Sequence, residues 1–248
     1  MGMTVRGESH RLARRPAPAP RLVAEAPRAL AAAPEAAERW RRPVNVAVAG
    51  LALVVASPVM LLIAILIKLT SRGPVFYSQT RVGWDRRNQG SGPVDSRRRE
   101  DIGGRPFQIY KFRSMYVNAE HLTGAVWAAR EDPRVTRLGR YLRQYRLDEL
   151  PQLLNVLKGD MNIVGPRPER PSIFSDLREE IEEYPRRQRA RPGITGLAQI
   201  NQQYDTSLDD VRNKVRFDLE YIGRQGLWED LRIMFRTIPV VLFRRGGW

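Results

Sequence analysis

The chain has no cysteine. Disulfides, thiolate zinc sites and cysteine nucleophiles are therefore excluded. Histidine is almost absent as well: His10 and His121 are the only two, which rules out a histidine-rich metal centre. Any metal would be a hard ion held by oxygen, such as Mg²⁺. Negative charge is in short supply, with 27 acidic against 42 basic residues and a net charge of +15. Such a balance calls for an anionic partner: nucleic acid, a phosphorylated substrate or acidic lipid. No helix-turn-helix, zinc-finger or RNA-binding signature is present, so nucleic acid is not the expected partner. The length of 248 residues suffices for one domain with a substantial core.

Residues 1–42 are rich in Arg, Ala and Pro with little apolar periodicity, and read as a disordered basic arm. The segment Val44–Leu69 follows, about 26 residues with no charge except Lys68. As a straight helix it would be roughly 39 Å long, against a hydrocarbon core of roughly 30 Å. Length alone favours a span. Two features oppose it. Pro58 falls near the middle and cannot bond to the carbonyl of Val54, a group that Ser57 can re-satisfy. Basic residues also flank both ends: Arg39, Arg41 and Arg42 before, Lys68 and Arg72 after. A single span prefers such residues on one side only. A helix broken at Ser57-Pro58, re-entering one leaflet over residues 43–70, keeps both flanks together. A kinked span and a buried core helix are the alternatives.

Residues 71–248 read as a domain that follows the apolar segment. Val75–Gln79 and Phe107–Arg113 are short strands rich in aromatic and β-branched residues. Between them, about 85–105 is a polar stretch without a core-forming pattern, expected to be a flexible insertion. Alternate strand residues share a face, so Lys111 and Arg113 are expected to form a two-cation comb suited to a diphosphate. A basic helix, Leu138–Tyr145, carries Arg143 towards the block that organises everything else.

That block is Arg143–Pro171, RQYRLDELPQLLNVLKGDMNIVGPRPERP. Leu150, Leu153, Leu154 and Leu157 recur on one helix face, and Gly159 is the expected stop. Pro151 fits only a first helical turn. Asp148 is thus a candidate N-cap whose carboxylate the helix dipole keeps ionised. That suits plain capping and attack on an electrophile alike. Pro166 and Pro168 fix the backbone around Arg167, whose planar fork matches phosphate oxygens. A rigid surface turn with a solvated arginine is the alternative.

LDELPQLLNVLKGDMNIVGPRPERP resembles the signature of the bacterial sugar transferase family, the monotopic phosphoglycosyl transferases. These move a sugar-1-phosphate from a nucleotide diphosphate sugar to a polyprenyl phosphate. The resemblance extends over about residues 42–243. Ser57-Pro58 is similar to the family's membrane-helix break, and Lys111-Phe112-Arg113-Ser114-Met115 to its second motif. Arg143 matches a position near the family's active site. The run Arg191-Pro192-Gly193-Ile194-Thr195-Gly196 is similar to another segment, which implies substrate-binding roles for Arg187 and Arg191. Gln188 departs from the histidine common there.

The resemblance implies that Asp148 attacks the phosphorus of a UDP-sugar and that a covalent aspartyl-phosphosugar passes its cargo to undecaprenyl phosphate. Glu149 then supports the nucleophile or a Mg²⁺ ion held by Asp148 and Glu149. Lys111, Arg113, Arg143, Arg167, Arg187 and Arg191 are the expected phosphate-binding cations. A one-step transfer with Asp148 only as metal ligand, and a membrane-anchored basic binding protein, are the rival readings.

The expected fold is α+β: a small helical domain with a short antiparallel β element, the re-entrant membrane helix and interfacial amphipathic helices, Leu227–Phe243 among them. The expected setting is the cytoplasmic face of a bacterial inner membrane, where lipid, UDP-sugar and polyprenyl phosphate meet.

Overall fold

The computed structural model describes residues 35–85, 103–117, 119, 132–202 and 207–242. Most of the expected arm, residues 86–102 of the expected insertion and both histidines lie outside them. The described chain mixes helix and sheet, with an N-terminal helix long and apolar enough to cross a membrane by length and composition.

That helix, α1, covers Glu35–Thr70. It begins earlier than the expected boundary at 43, so residues 35–42 belong to it and not to an arm. It is also helical through Pro58, where two separate halves were expected. The reason is local. Pro58 has no N–H for the carbonyl of Val54, and the Ser57 hydroxyl donates to that carbonyl instead, at 2.8 Å.

Both ends of α1 rest on the same domain. Near its start, the Arg41 guanidinium bonds Asp230 at 2.8 Å, and Asn45 Oδ1 accepts from the Ile163 N–H at 2.6 Å. Ala49 packs into a core with Phe107, Ile109, Leu153, Val156 and Met161. Near its end, Ile63 and Ile67 pack on Phe112 and Leu142. Between these anchors the helix turns large apolar side chains outwards: Val54 and Val55 are each 71% exposed, and Leu51, Leu61 and Leu62 are exposed too.

Strands β1 (Phe76–Val82) and β2 (Pro106–Phe112) form the expected antiparallel pair, with Tyr77 opposite Lys111. Helix α2 (Arg137–Gln144) and a 3₁₀ turn (Leu147–Glu149) lead into α3 (Gln152–Lys158), which stops at Gly159. Gly159 has φ 91°, a left-handed stop that glycine adopts without strain. A parallel pair was not expected: β3 (Asn162–Val164) beside β4 (Gly193–Thr195). Three-residue strands are too short to show an alternating pattern.

Helix α4 (Pro171–Glu180) and a second 3₁₀ segment (Tyr184–Arg189) lie between β3 and β4. Helices α5 (Leu197–Asn201), α6 (Leu208–Arg224) and α7 (Leu227–Leu242) complete the domain. A reciprocal capping box opens α6: Ser207 Oγ accepts from the Asp210 N–H, and the Asp210 carboxylate accepts from the Ser207 N–H. Val82 of β1 packs with Phe174 and Leu177 of α4 and Val211 and Val215 of α6, joining the hairpin to the C-terminal helices.

Candidate active site

The site begins with the seating of α2. Thr136 caps it by accepting from the Gly139 N–H at 2.8 Å. Gly139 lies against the Ser114 backbone so closely that a β-carbon would sit 1.9 Å from the Ser114 carbonyl oxygen. The chain then reverses at Arg146, which has φ 55°, a left-handed conformation costing a non-glycine residue about 1 kcal/mol. This turn delivers Leu147–Glu149 inwards, and both Asp148 and Glu149 are buried.

Asp148 is not the N-cap of α3. Pro151 occupies that position, without a side-chain cap. The backbone bonds from Glu149 N to Arg146 O, Leu150 N to Leu147 O and Leu153 N to Leu150 O all span three residues. The chain is therefore wound as a 3₁₀ turn before α3 opens. Burial and neighbouring side chains act on the charge state of the acid pair, which has no capping position at a helix start.

Two cations converge on Glu149. Lys111 Nζ, from β2, donates to Oε1 at 2.7 Å. Arg167, between its two prolines, donates through Nη2 to Oε1 at 2.5 Å and through Nη1 to Oε2 at 3.4 Å. Burial pushes the Glu149 carboxyl up, but Arg167 and Lys111 outweigh it and hold the group well below the usual carboxylate range. Lys111 is itself lowered, by burial against the opposing pull of Glu149.

Asp148 behaves oppositely. Burial raises it to about 6; Lys111 resists, Glu149 adds to the rise, and Arg143 and Arg167 oppose it. Among the described residues no hydrogen bond or ion pair is made by the Asp148 carboxylate. Its oxygens are thus uncommitted, at the meeting point of three cationic side chains.

Of the six expected phosphate-binding cations, Lys111, Arg143 and Arg167 act on the acid pair. The other three lie elsewhere. The strand-face comb does not form, because β2 ends at Phe112 and Arg113 turns to the end of α1. Its guanidinium donates to the Arg72 carbonyl at 2.8 Å, the Ser71 carbonyl at 2.9 Å and Ser71 Oγ at 2.7 Å. Arg187 is buried and bonded throughout: to Asp218 at 2.6 Å, to Tyr184 Oη at 2.8 Å and to the Arg167 carbonyl at 3.0 Å. It braces the backbone of Arg167 from behind. Arg191 lies over the Trp84 ring, 4.7 Å from its centroid. Asp160 sits at the far end of α3, beside Asn155.

Other residues at the site gave less signal in the sequence. Glu169 pairs with Arg81 at 3.5 Å and Lys214 at 3.7 Å. Burial pushes this carboxyl up, yet Lys214 and Arg81 bring it below its ordinary value. Asn155 joins α3 to β2, accepting from the Tyr110 N–H at 3.0 Å and donating to the Gln108 carbonyl at 2.7 Å. A hydrophobic-periodicity reading passes over such polar residues, since only their partners reveal them.

Among the described residues no group of three or more His, Asp or Glu side chains converges. Mg²⁺ does not need one. It is commonly held by one or two carboxylates, with water and substrate phosphate completing its shell. The adjacent Asp148 and Glu149 suit that pattern, Asp148 best because its oxygens are uncommitted.

The family described as bacterial sugar transferase matches residues 36–244. A relative from Aeromonas hydrophila, named UDP-N-acetylgalactosamine-undecaprenyl-phosphate N-acetylgalactosaminephosphotransferase, is 43% identical over 202 residues, covering 82% of this chain and 43% of the relative. One from Caulobacter vibrioides, named UDP-glucose:undecaprenyl-phosphate glucose-1-phosphate transferase, is 41% identical over 204 residues, covering 82% and 69%. The exopolysaccharide production protein ExoY of Sinorhizobium fredii is 34% identical over 226 residues, covering 84% and 88%. The chain spans less than half the length of several of the curated relatives it matches.

Proposed function

The chain belongs to the bacterial sugar transferase family, and on that premise we propose that it transfers a sugar-1-phosphate from a UDP-sugar to undecaprenyl phosphate at a membrane surface. The observation that carries this reading is the contrast within the acid pair. Glu149 is fixed and ionised by Lys111 and Arg167. Asp148 keeps free oxygens beside the same cations.

An oxygen of the ionised Asp148 attacks the phosphorus bonded to the sugar. The bond from that phosphorus to the bridging oxygen of the diphosphate breaks, and uridine monophosphate leaves with the electron pair. An oxygen of the lipid phosphate then attacks the same phosphorus. The aspartyl–phosphorus bond breaks, the carboxylate is restored, and the product is a lipid diphosphate sugar. Carboxylate nucleophiles of this kind occur in aspartyl-phosphate enzymes.

Both steps bring anions together, so neutralising charge is the main catalytic need. Lys111, Arg143 and Arg167 supply it. Glu149 holds Lys111 and Arg167 in place without needing to touch the substrate. Asp148 and Glu149 would hold Mg²⁺, which adds further positive charge against the diphosphate.

The placement of α1 supports a re-entrant membrane helix. Arg41 and Ile67 lie roughly 39 Å apart along a straight helix, yet both are buried against one domain. A helix crossing the bilayer could not return its far end to a domain on the near side. The outward Leu51, Val54, Val55, Leu61 and Leu62 then face lipid. Trp228, Phe235 and Ile238 are exposed on α7, which also carries the exposed Arg232 and Arg236, and Trp40 is exposed near the start of α1. Aromatic and basic residues together suit the headgroup layer. Nucleotide sugars are cytoplasmic, which sets the domain on that face of the inner membrane.

A panel of UDP-sugars, supplied with undecaprenyl phosphate and read by release of uridine monophosphate, tests the proposal. Release with one sugar, lost in Asp148→Asn, is expected. No release with any UDP-sugar, or undiminished release by Asp148→Asn, would contradict it.

A further inference from the structure

Gln152 is 1% exposed, and its side-chain Nε2 has no hydrogen-bond partner. Buried amide donors are nearly always paired, because an unmade hydrogen bond in the interior is costly. An orphan of this kind asks what it is waiting for.

Its position narrows the answer. The bonds from Glu149 N to Arg146 O and from Leu150 N to Leu147 O span three residues, and Gln152 then opens α3. In that winding, side chains three apart lie over one another. Glu149 and Gln152 are three apart across this turn and Gln152 and Asn155 three apart on α3, which makes each pair neighbours. The two outer members both reach β2: Glu149 accepts from Lys111, and Asn155 bonds the Tyr110 N–H and the Gln108 carbonyl. Gln152 lies between them in the chain and is itself buried. Long helical side chains lean back towards the N-terminus, which carries its amide towards Asp148 and Glu149. Asn155 has already taken the backbone groups of β2 that it can reach.

We propose that the Gln152 amide donates a hydrogen bond to a phosphoryl oxygen of the group that Asp148 takes up. The inference rests on the transfer reading above and adds a substrate-contacting residue to it. A neutral donor has a distinct use among cations. It orients one non-bridging oxygen without drawing the ionised Asp148 into an ion pair, as a further arginine would. Donors placed where charge develops lower the barrier more than they tighten ground-state binding.

The test compares wild type with Gln152→Met, which keeps the side-chain length and removes the amide, and with Gln152→Leu as a second apolar replacement. Two quantities are read on the full chain in lipid nanodiscs: Tm, and kcat and KM for release of uridine monophosphate from the preferred UDP-sugar. The expected result is a Tm equal to or above wild type, because no bonded group is lost, with kcat lower by at least about tenfold and KM little changed. Wild-type kcat in either variant overturns the inference and leaves the transfer reading standing. A kcat loss matched by a fall in Tm in both variants also overturns it, showing a packing role. No release by wild type itself would overturn the transfer reading and this inference together.

Discussion

Asp148 and Glu149 are neighbours in the chain, equally buried, and hold their protons in opposite ways. Burial raises Asp148 to about 6, while Arg167 and Lys111 bring Glu149 well below its ordinary value. For Asp148 the folded state binds more protons than the unfolded state between the ordinary 3.8 and about 6. Its contribution to stability is therefore lost as pH rises through that window, a cost on the order of 3 kcal/mol. Asparagine escapes this cost. Asp148→Asn is expected to raise Tm at pH 7.5, to raise it less at pH 5, and to abolish transfer. Thermal unfolding at the two pH values checks this, and an unchanged or lower Tm at pH 7.5 would count against it.

Lys111 and Arg113 are two residues apart and serve different ends. Lys111→Ala takes a cation from the acid pair, so kcat should fall by about 100-fold or more. Arg113→Ala frees the Ser71 and Arg72 carbonyls at the end of α1. That variant should lose about 1–3 kcal/mol of stability. Its residual folded fraction should turn over at a rate closer to wild type than Lys111→Ala does. Unfolding curves and initial rates on the same preparations separate the two. A greater rate loss in the Arg113 variant would reverse the assignment.

At the other end of α1, Arg41 and Asp230 form a buried pair at 2.8 Å, with Tyr221 bonded to both. Removing one partner leaves an uncompensated buried charge. Asp230→Ala should cost about 3–5 kcal/mol, seen as a shifted denaturation midpoint. A midpoint within error of wild type would mean that α1 is held by its apolar contacts alone.

The absence of cysteine makes every introduced thiol a unique probe. Arg39→Cys and Arg72→Cys lie at opposite ends of the apolar segment, both exposed. In inverted and right-side-out vesicles, a membrane-impermeant maleimide should label both positions from the cytoplasmic face only. Labelling from opposite faces would make α1 a true span.

Much of this arrangement was legible in the sequence where a pattern repeats or a residue has one backbone use. The existence of α3, its stop at Gly159 and the β1–β2 hairpin follow from periodicity and from glycine's freedom, although Leu150 precedes the helix and Leu154 is exposed. Ser57 answering for Pro58 follows from the missing N–H. What stayed hidden depends on distant partners. Nothing near Arg113 in the chain says that it will close on Ser71, or that Arg187 will meet Asp218 behind Arg167. Two strands of three residues are too short for alternation, so the β3–β4 pair had no signal. Asp148 looked like a helix cap because Pro151 suits a first turn. The intervening 3₁₀ turn depends on the left-handed Arg146, which side-chain chemistry does not announce.

The account turns on whether Asp148 becomes covalently bonded to phosphorus. Intact-protein mass spectrometry after incubation with the preferred UDP-sugar, without undecaprenyl phosphate, reads this directly. Wild type should gain the mass of one sugar phosphate, mapped by digestion to the peptide bearing Asp148, and should lose it when undecaprenyl phosphate is added. Release of uridine monophosphate that always requires the lipid phosphate, with no mass gained at any time, would contradict the account and favour a single displacement.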